Sequence, residues 1–290
     1  MIRIGRSKTA NHGPRTTGHL QRIAVLFFVV STVTIAAPSQ QDTTPHQTAW
    51  TIIGNDLSTS VDDAGLIFTA PLHWDVDNGI DFAGVLFGTA ACMTFDSTAR
   101  RWTHNNQSTD LGHLADVGRF YGQTYTGAGI AGGVYLGGLI FKNEKVRVTG
   151  RMIFESLLFS GVVTTVLKSV VGRSRPYTDD GPFMFHALTL NADHLSFPSG
   201  HATVAFAVSS VIAARFNNPM AYILSYGMAT VTALSRIYND QHWMSDTFLG
   251  ACIGAFIGNA VVSLHSDDNA SGHAWRISPT LNGVALVGRF

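Results

Sequence analysis

Six apolar segments punctuate the chain, at roughly 82–95, 127–141, 152–167, 202–216, 221–235 and 247–264. Each reads as a helix, because alternation of apolar and polar residues is rare in them. Between 38 and 80 the chain is polar and mixed, with turn signals and little periodicity. Nearer the start, a basic stretch leads into the apolar run Ile23–Ala37 and then polar SQQDTTPHQT. That order is the pattern of a secretory signal peptide. Thr34, Ala36 and Ala37 offer cleavage positions, although Pro38 argues against a cut after Ala37. An uncleaved anchor is the other reading, short against the usual span of about 20 residues. At the far end, Asn282-Gly283 lies between short apolar runs and signals a hairpin. The terminal Phe290 resembles the last strand of an outer-membrane barrel, but one hairpin cannot close a barrel. The expected organisation is a signal peptide or anchor (1–37), an N-terminal extracytoplasmic segment with one or more helices (38–126), a helical core (127–264) and a tail (265–290).

Two segments repeat a small residue every fourth position: Gly129, Gly133, Gly137, and Gly250, Gly254, Gly258. Such a stripe lets another helix approach closely, as in membrane bundles. The segments are individually short for spans, and Glu155 interrupts one. Loop charge offers a topological test. If Ile23–Ala37 is the first span and 82–95 does not cross, the basic N-terminus, the loop bearing Lys142, Lys145, Arg147 and Arg151, and the Arg215 loop all fall inside. That arrangement satisfies the positive-inside rule. Cleavage of the signal with every later segment crossing would break it. The expectation is an all-α antiparallel bundle of about six core helices, embedded in a membrane; a soluble exported bundle is the alternative.

Composition agrees. Only 13% of residues are charged, against about 25% in a typical soluble domain. The formal net charge of zero hides an asymmetry: residues 1–37 carry five basic residues and no acid, leaving 14 basic against 19 acidic residues beyond them. There is no broad basic surface, so no nucleic-acid partner is expected. Cys92 and Cys252 sit in apolar, small-residue stretches and read as two buried free thiols. No Cys/His spacing points to zinc.

The chemistry lies between Lys168 and Asp246. Lys168 ends one apolar segment and Arg175-Pro176 follows seven residues on, placing two cations at one helix end; alone, they could simply complement the helix dipole. Pro198-Ser199-Gly200-His201 opens the next segment. Gly200 allows close backbone approach, the free N–H groups there can bind an anion, and Ser199 is a natural cap. Ser235-Arg236 ends a third segment, and His242 precedes Asp246 by four at the start of the last. Four apart on a helix, they share a face, so the carboxylate could hold one imidazole nitrogen and leave the other to attack. Successive antiparallel helices bring all these ends to one face of the bundle. Three cations, an anion-binding helix start and two histidines then surround one point, an arrangement suited to a phosphoryl group.

The pattern K-x6-RP, PSGH and SR-x5-H-x3-D resembles the signature of the type 2 phosphatidic acid phosphatase (PAP2) superfamily, shared with bacterial class A acid phosphatases and vanadium haloperoxidases. Every motif position is matched over residues 168–246. The resemblance implies that His242 attacks phosphorus and forms a phosphohistidine, that Asp246 orients it, and that His201 protonates the leaving oxygen and then activates water. Lys168, Arg175 and Arg236, with Ser199 and the Gly200 N–H, would hold the phosphoryl oxygens. No metal and no cofactor is implied, vanadate entering only as a phosphate analogue. The implied function is hydrolysis of a lipid phosphate, such as phosphatidic acid, an isoprenoid diphosphate or a lipid A phosphate, at a bacterial inner membrane with a periplasm-facing site. No protein partner is indicated. A soluble periplasmic acid phosphatase of broad specificity, a vanadium haloperoxidase and a non-catalytic binder of phosphorylated lipid are the competing readings.

Other residues read as structural. His186 and His194 are loop histidines that could border the entrance, Asp179-Asp180 is a solvated turn, and Tyr238 packs. Trp243 is open between pocket, lipid interface and helix packing. Asn106-Gln107-Ser108 fits a common glycosylation pattern.

Overall fold

The structure, a computed structural model, describes residues 48–265 and the backbone of 274–280 and 283–289. The signal or anchor segment 1–37 and the terminal Phe290 lie outside the described residues. Eight α-helices follow one another: α1 Ala49–Thr69, α2 Val76–Asn105, α3 Thr109–Tyr121, α4 Thr124–Ile140, α5 Glu144–Val171, α6 Gly200–Phe216, α7 Pro219–Tyr238 and α8 Met244–Leu264. Two strands, β1 Ala274–Thr280 and β2 Gly283–Arg289, pair antiparallel with Thr280 opposite Gly283. This is the hairpin expected from the Asn-Gly signal.

The helices stop and start where their end chemistry requires. Asn143 accepts from the Val146 N–H to cap α5, and Ser199 and Asn218 cap α6 and α7. Gly172 ends α5 at φ 61°, in the left-handed region. A side chain there would also run into the His186 carbonyl, so glycine is required twice over.

The all-α expectation holds, with more helices than the six segments expected. The core joins Met152, Ile153 and Phe159 of α5, Val208 and Val211 of α6, and Ile257 and Val261 of α8. Helix α6 lies between α5, α7 and α8. One glycine stripe does what its spacing implies: a Cβ on Gly250, Gly254 or Gly258 would strike the α6 backbone at Ser199, Thr203 or Ala207. Gly254→Val is therefore expected to destabilise by about 1–3 kcal/mol or more, read as a lowered thermal midpoint. The other stripe does not: Gly129, Gly133 and Gly137 have no atom near an added Cβ. Helix α4 instead turns Gly127, Ala131 and Gly138 inward, and Gly138 meets the backbone of Arg147 on α5.

Helices α1 and α3 had no counterpart among the expected segments. Helix α1 escaped because its polarity is inverted. Its buried residues are Asp56 and Asp63, while Leu57, Val61 and Leu66 are 56–66% exposed. The buried acids meet α5: Asp56 pairs with Arg147 and Arg151 and accepts from Tyr135, and Ser60 donates to Glu155 at 2.6 Å. This corrects the reading of Arg147 and Arg151 as loop charges, since both lie inside α5 in ion pairs. Of that group, Lys142 and Lys145 are the exposed members. Glu155 does not interrupt its helix; it is fully buried in it and pairs with Arg151. Neither Cys92 nor Cys252 is fully buried, and both are free thiols.

Candidate active site

Four helix ends meet at one end of the bundle: the C-termini of α5 and α7 and the N-termini of α6 and α8. The connection 172–199 is laced between them. Lys168, in the last turn of α5, donates from Nζ to the Leu195 carbonyl at 2.6 Å. The Ser199 N–H donates to the Asp246 carbonyl at 2.9 Å, tying α6 to α8. The Ser199 hydroxyl caps α6 through Ala202 N at 3.5 Å. Arg175 reaches across to Ala192 O at 3.0 Å and to Gln241 Oε1 at 3.3 Å.

The cationic side is unsatisfied in one place. Arg236 is buried, with 4% exposure, yet its Nε and Nη1 have no hydrogen-bond partner among the described residues. A buried unpaired donor costs about 1–3 kcal/mol, more when charged. Such a group is poised for an oxyanion. His242 is also buried, and its pKa is held well below the ordinary histidine value, first by burial and then by the charges of Lys168, Arg175 and Arg236 and by His201. It is therefore neutral at pH 7, with a nitrogen lone pair available. Its own ionisation should limit kcat/KM only below pH 6.5, the ordinary imidazole value. A pH–rate profile corrected for substrate ionisation, with an acid limb at or above that value, would contradict this.

The geometry behind His242 differs from the expected helix-face pair. His242 precedes α8, whereas Asp246 lies inside its first turn and accepts from Trp243 N at 2.8 Å. The His242 Nδ1 to Asp246 Oδ2 distance is 3.7 Å, too long for a hydrogen bond. Ser196 sits between them, donating to Asp246 Oδ2 at 2.5 Å and lying 3.4 Å from His242 Nδ1. The other Asp246 oxygen accepts from Arg173 Nη1 at 2.6 Å.

Arg173 and Ser196 were not singled out in the sequence, nor was Asp96. Arg173 fills an unspecified position within K-x6-RP, so the motif hides it. Asp96 is an acid just after an apolar segment of a charge-poor chain, which was the available signal. Trp243 resolves to packing: it is 2% exposed and donates to the Ser174 carbonyl at 2.9 Å. Tyr238 bonds the Ser108 backbone through its hydroxyl at 3.0 Å. Asp179 pairs with Arg100 at 2.8 Å. The His186 and His194 rings stack at 3.8 Å and 28°. Asp180 lies close to both, with ligand-type atoms within 4.8 Å of one another. Nearly parallel rings send their lone pairs side by side, so convergence on one ion would need one ring to turn.

The sequence model of the PAP2 superfamily matches residues 150–270. That stretch contains all three motifs and the four helix ends. Among characterised relatives, a lipid A 1-phosphatase of Rhizobium etli is 31% identical, over 37% of this chain and 46% of its own length. A decaprenylphosphoryl-5-phosphoribose phosphatase of Mycobacterium tuberculosis is 34% identical, over 35% of this chain and 53% of its own. The chain thus spans about half the length of these relatives. The fold is that of a solved Bacillus subtilis structure, a transmembrane PAP2 type phosphatidylglycerolphosphate phosphatase, with TM-score 0.52 and 19% identity over 65% of this chain and 96% of that one.

Proposed function

We propose that this protein is a membrane-embedded phosphatase that removes phosphate from a lipid phosphate or isoprenoid diphosphate through a phosphohistidine on His242. The observation that carries the reading is a neutral, buried His242 that feels the charge of Arg236, whose Nε and Nη1 lack partners among the described residues, at the meeting point of four helix ends. Lys168 and Arg175 bring two further cations to that point. A phosphoryl group supplies what this site lacks: oxygens for the orphaned donors and an electrophile for the imidazole.

In this mechanism the His242 nitrogen remote from Asp246 attacks phosphorus, the P–O bond to the lipid breaks, and His201 gives the leaving oxygen its proton. Water then attacks the phosphohistidine while His201 takes up a proton. Lys168, Arg175, Arg236 and the α6 N-terminus, with Ser199 and Gly200, hold the equatorial oxygens throughout. Charge is stabilised by the chain's own cations, so the chemistry requires no metal or cofactor.

Lipid embedding is supported by the surface. Helices α5 and α8 are long and apolar enough to cross a membrane. Phe154, Leu158, Val162, Val166 and Val170 form a stripe along α5 that is 44–56% exposed. Helix α1 buries acids and exposes apolar residues, and α2 buries Asp96 while exposing Phe87 and Trp102. That inverted polarity suits lipid and is costly in water. Lys142, in the connection before α5, and Lys145, in its first turn, lie at the end of α5 away from Lys168. With that end inside, the site faces the periplasm. The relatives' names support phosphorylated lipids as substrates.

The test is phosphate release by detergent-purified protein across phosphatidic acid, an isoprenoid diphosphate, lipid A and a soluble aryl phosphate. Preference for the lipids is expected. Activity on the aryl phosphate alone, with release of the protein by osmotic shock, would instead identify a soluble acid phosphatase.

A further inference from the structure

We propose that Asp96, on α2, is a positioning residue for the nucleophile, acting through Arg173 and Asp246. The proposal rests on His242 being the nucleophile. It assigns a role to a residue outside the stretch 150–270 that matches the family.

The connection is short and dry. Arg173 is fully buried, and Asp96 and Asp246 are at most 1% exposed. Arg173 donates from Nη2 to Asp96 Oδ2 at 2.7 Å and from Nη1 to Asp246 Oδ1 at 2.6 Å. Ser245 links the same groups: its hydroxyl donates to Asp96 Oδ2 and accepts from Arg173 Nη1, both at 2.7 Å. Its N–H donates to Asp96 Oδ1 at 2.9 Å. Arg173 Nε is bound to the Pro182 carbonyl at 2.8 Å, and its guanidinium carbon lies 5.5–5.9 Å from the ring centroids of Trp243, Phe197 and Phe185. The guanidinium is thus fixed in place and in orientation.

Charge gives this arrangement its meaning. In front of His242 stand Lys168, Arg175 and Arg236. Behind it stand two carboxylates and one guanidinium, a trio with one net negative charge. When a His242 nitrogen bonds to phosphorus, the imidazole ring becomes cationic and keeps its other proton on Nδ1. That proton faces Asp246, 3.7 Å away, with the Ser196 hydroxyl beside both. If Asp246 alone faced Arg173, its charge would be neutralised by the guanidinium. Asp96 takes a share of Arg173 and leaves Asp246 an excess of negative charge toward the ring. That excess matters most as positive charge develops on His242, and little when substrate merely binds. A residue one contact removed from the reacting group acts on turnover more than on affinity.

The experiment compares Asp96→Asn with the unaltered full-length protein in kcat, KM and inhibition by vanadate, which occupies the phosphoryl cradle. His242→Ala is assayed alongside. The expected result is a kcat lower by about 10–100-fold, with KM and the vanadate inhibition constant changed by no more than about threefold. Unchanged kcat in folded Asp96→Asn would overturn the proposal. So would parallel losses of kcat and vanadate affinity, which would indicate a merely structural role. If Asp96→Asn fails to fold, Ser245→Ala takes its place, since it removes the hydroxyl shared by Asp96 and Arg173. There kcat should fall several-fold with vanadate inhibition intact, and full kcat would overturn the idea. Turnover by His242→Ala would sink the nucleophile assignment and this proposal together. An inactive His242→Ala beside a fully active Asp96→Asn would sink this proposal alone.

Discussion

His242→Ala should lose phosphate release by a factor on the order of 10⁴–10⁶, the scale seen when a covalent nucleophile is removed. The loss should appear in kcat for lipid and aryl substrates alike, because the imidazole is needed whatever the leaving group. Folding should survive. His242 is buried and neutral, and its Nδ1 lies 3.4 Å from Ser196 Oγ and 3.7 Å from Asp246 Oδ2. They hold each other at 2.5 Å without it. A stability cost of about 1–3 kcal/mol, typical of truncating a buried side chain, is expected. Phosphate release from a folded His242→Ala protein at more than a few per cent of the normal rate would be incompatible with histidine attack.

Arg236→Ala separates activity from stability in a different way. Two buried guanidinium nitrogens without partners among the described residues mean that the side chain contributes little to folding and can oppose it. Its removal should lower kcat by about 10²–10³-fold, as for a single oxyanion donor, while leaving the thermal midpoint unchanged or raised. Lysine should not restore the rate, because an ammonium cannot reproduce a guanidinium fork on phosphoryl oxygens. Loss of stability together with activity would show that Arg236 serves the fold and is not reserved for an anion.

The convergence of the candidate residues was legible in the sequence because they are tied to helix ends. Lys168, His201, Arg236 and His242 each lie within a few residues of a helix boundary, and alternating helix direction then brings them together. What stood behind them was not legible. Asp96 lies 77 residues before Arg173, and no short-range spacing could report that contact. The His242–Asp246 pair was placed on a helix face by its spacing of four, but α8 begins only at Met244, which leaves His242 in the preceding connection.

The fold shows the same division. Apolar segments marked α4 to α8 because their hydrophobic length is the signal. Helix α1 stayed hidden because a search for buried apolar faces assumes water outside. Its Asp56 and Asp63 face the bundle and its leucines face away. The ion pairs of Arg147 and Arg151 with residues of α1 and α5 are part of that inversion. Gly250, Gly254 and Gly258 signalled a close approach that exists, whereas Gly129, Gly133 and Gly137 carried the same spacing with no partner helix against them.

The most direct measurement is detection of the covalent intermediate. His201→Ala, given an aryl phosphate whose leaving group needs no proton, should form the phosphoenzyme and then hydrolyse it slowly. Rapid quenching at alkaline pH, followed by peptide mass spectrometry, should place one acid-labile phosphoryl group on His242. Phosphate on another residue would contradict the mechanism, as would sustained turnover with no phosphorylated His242 at any quench time.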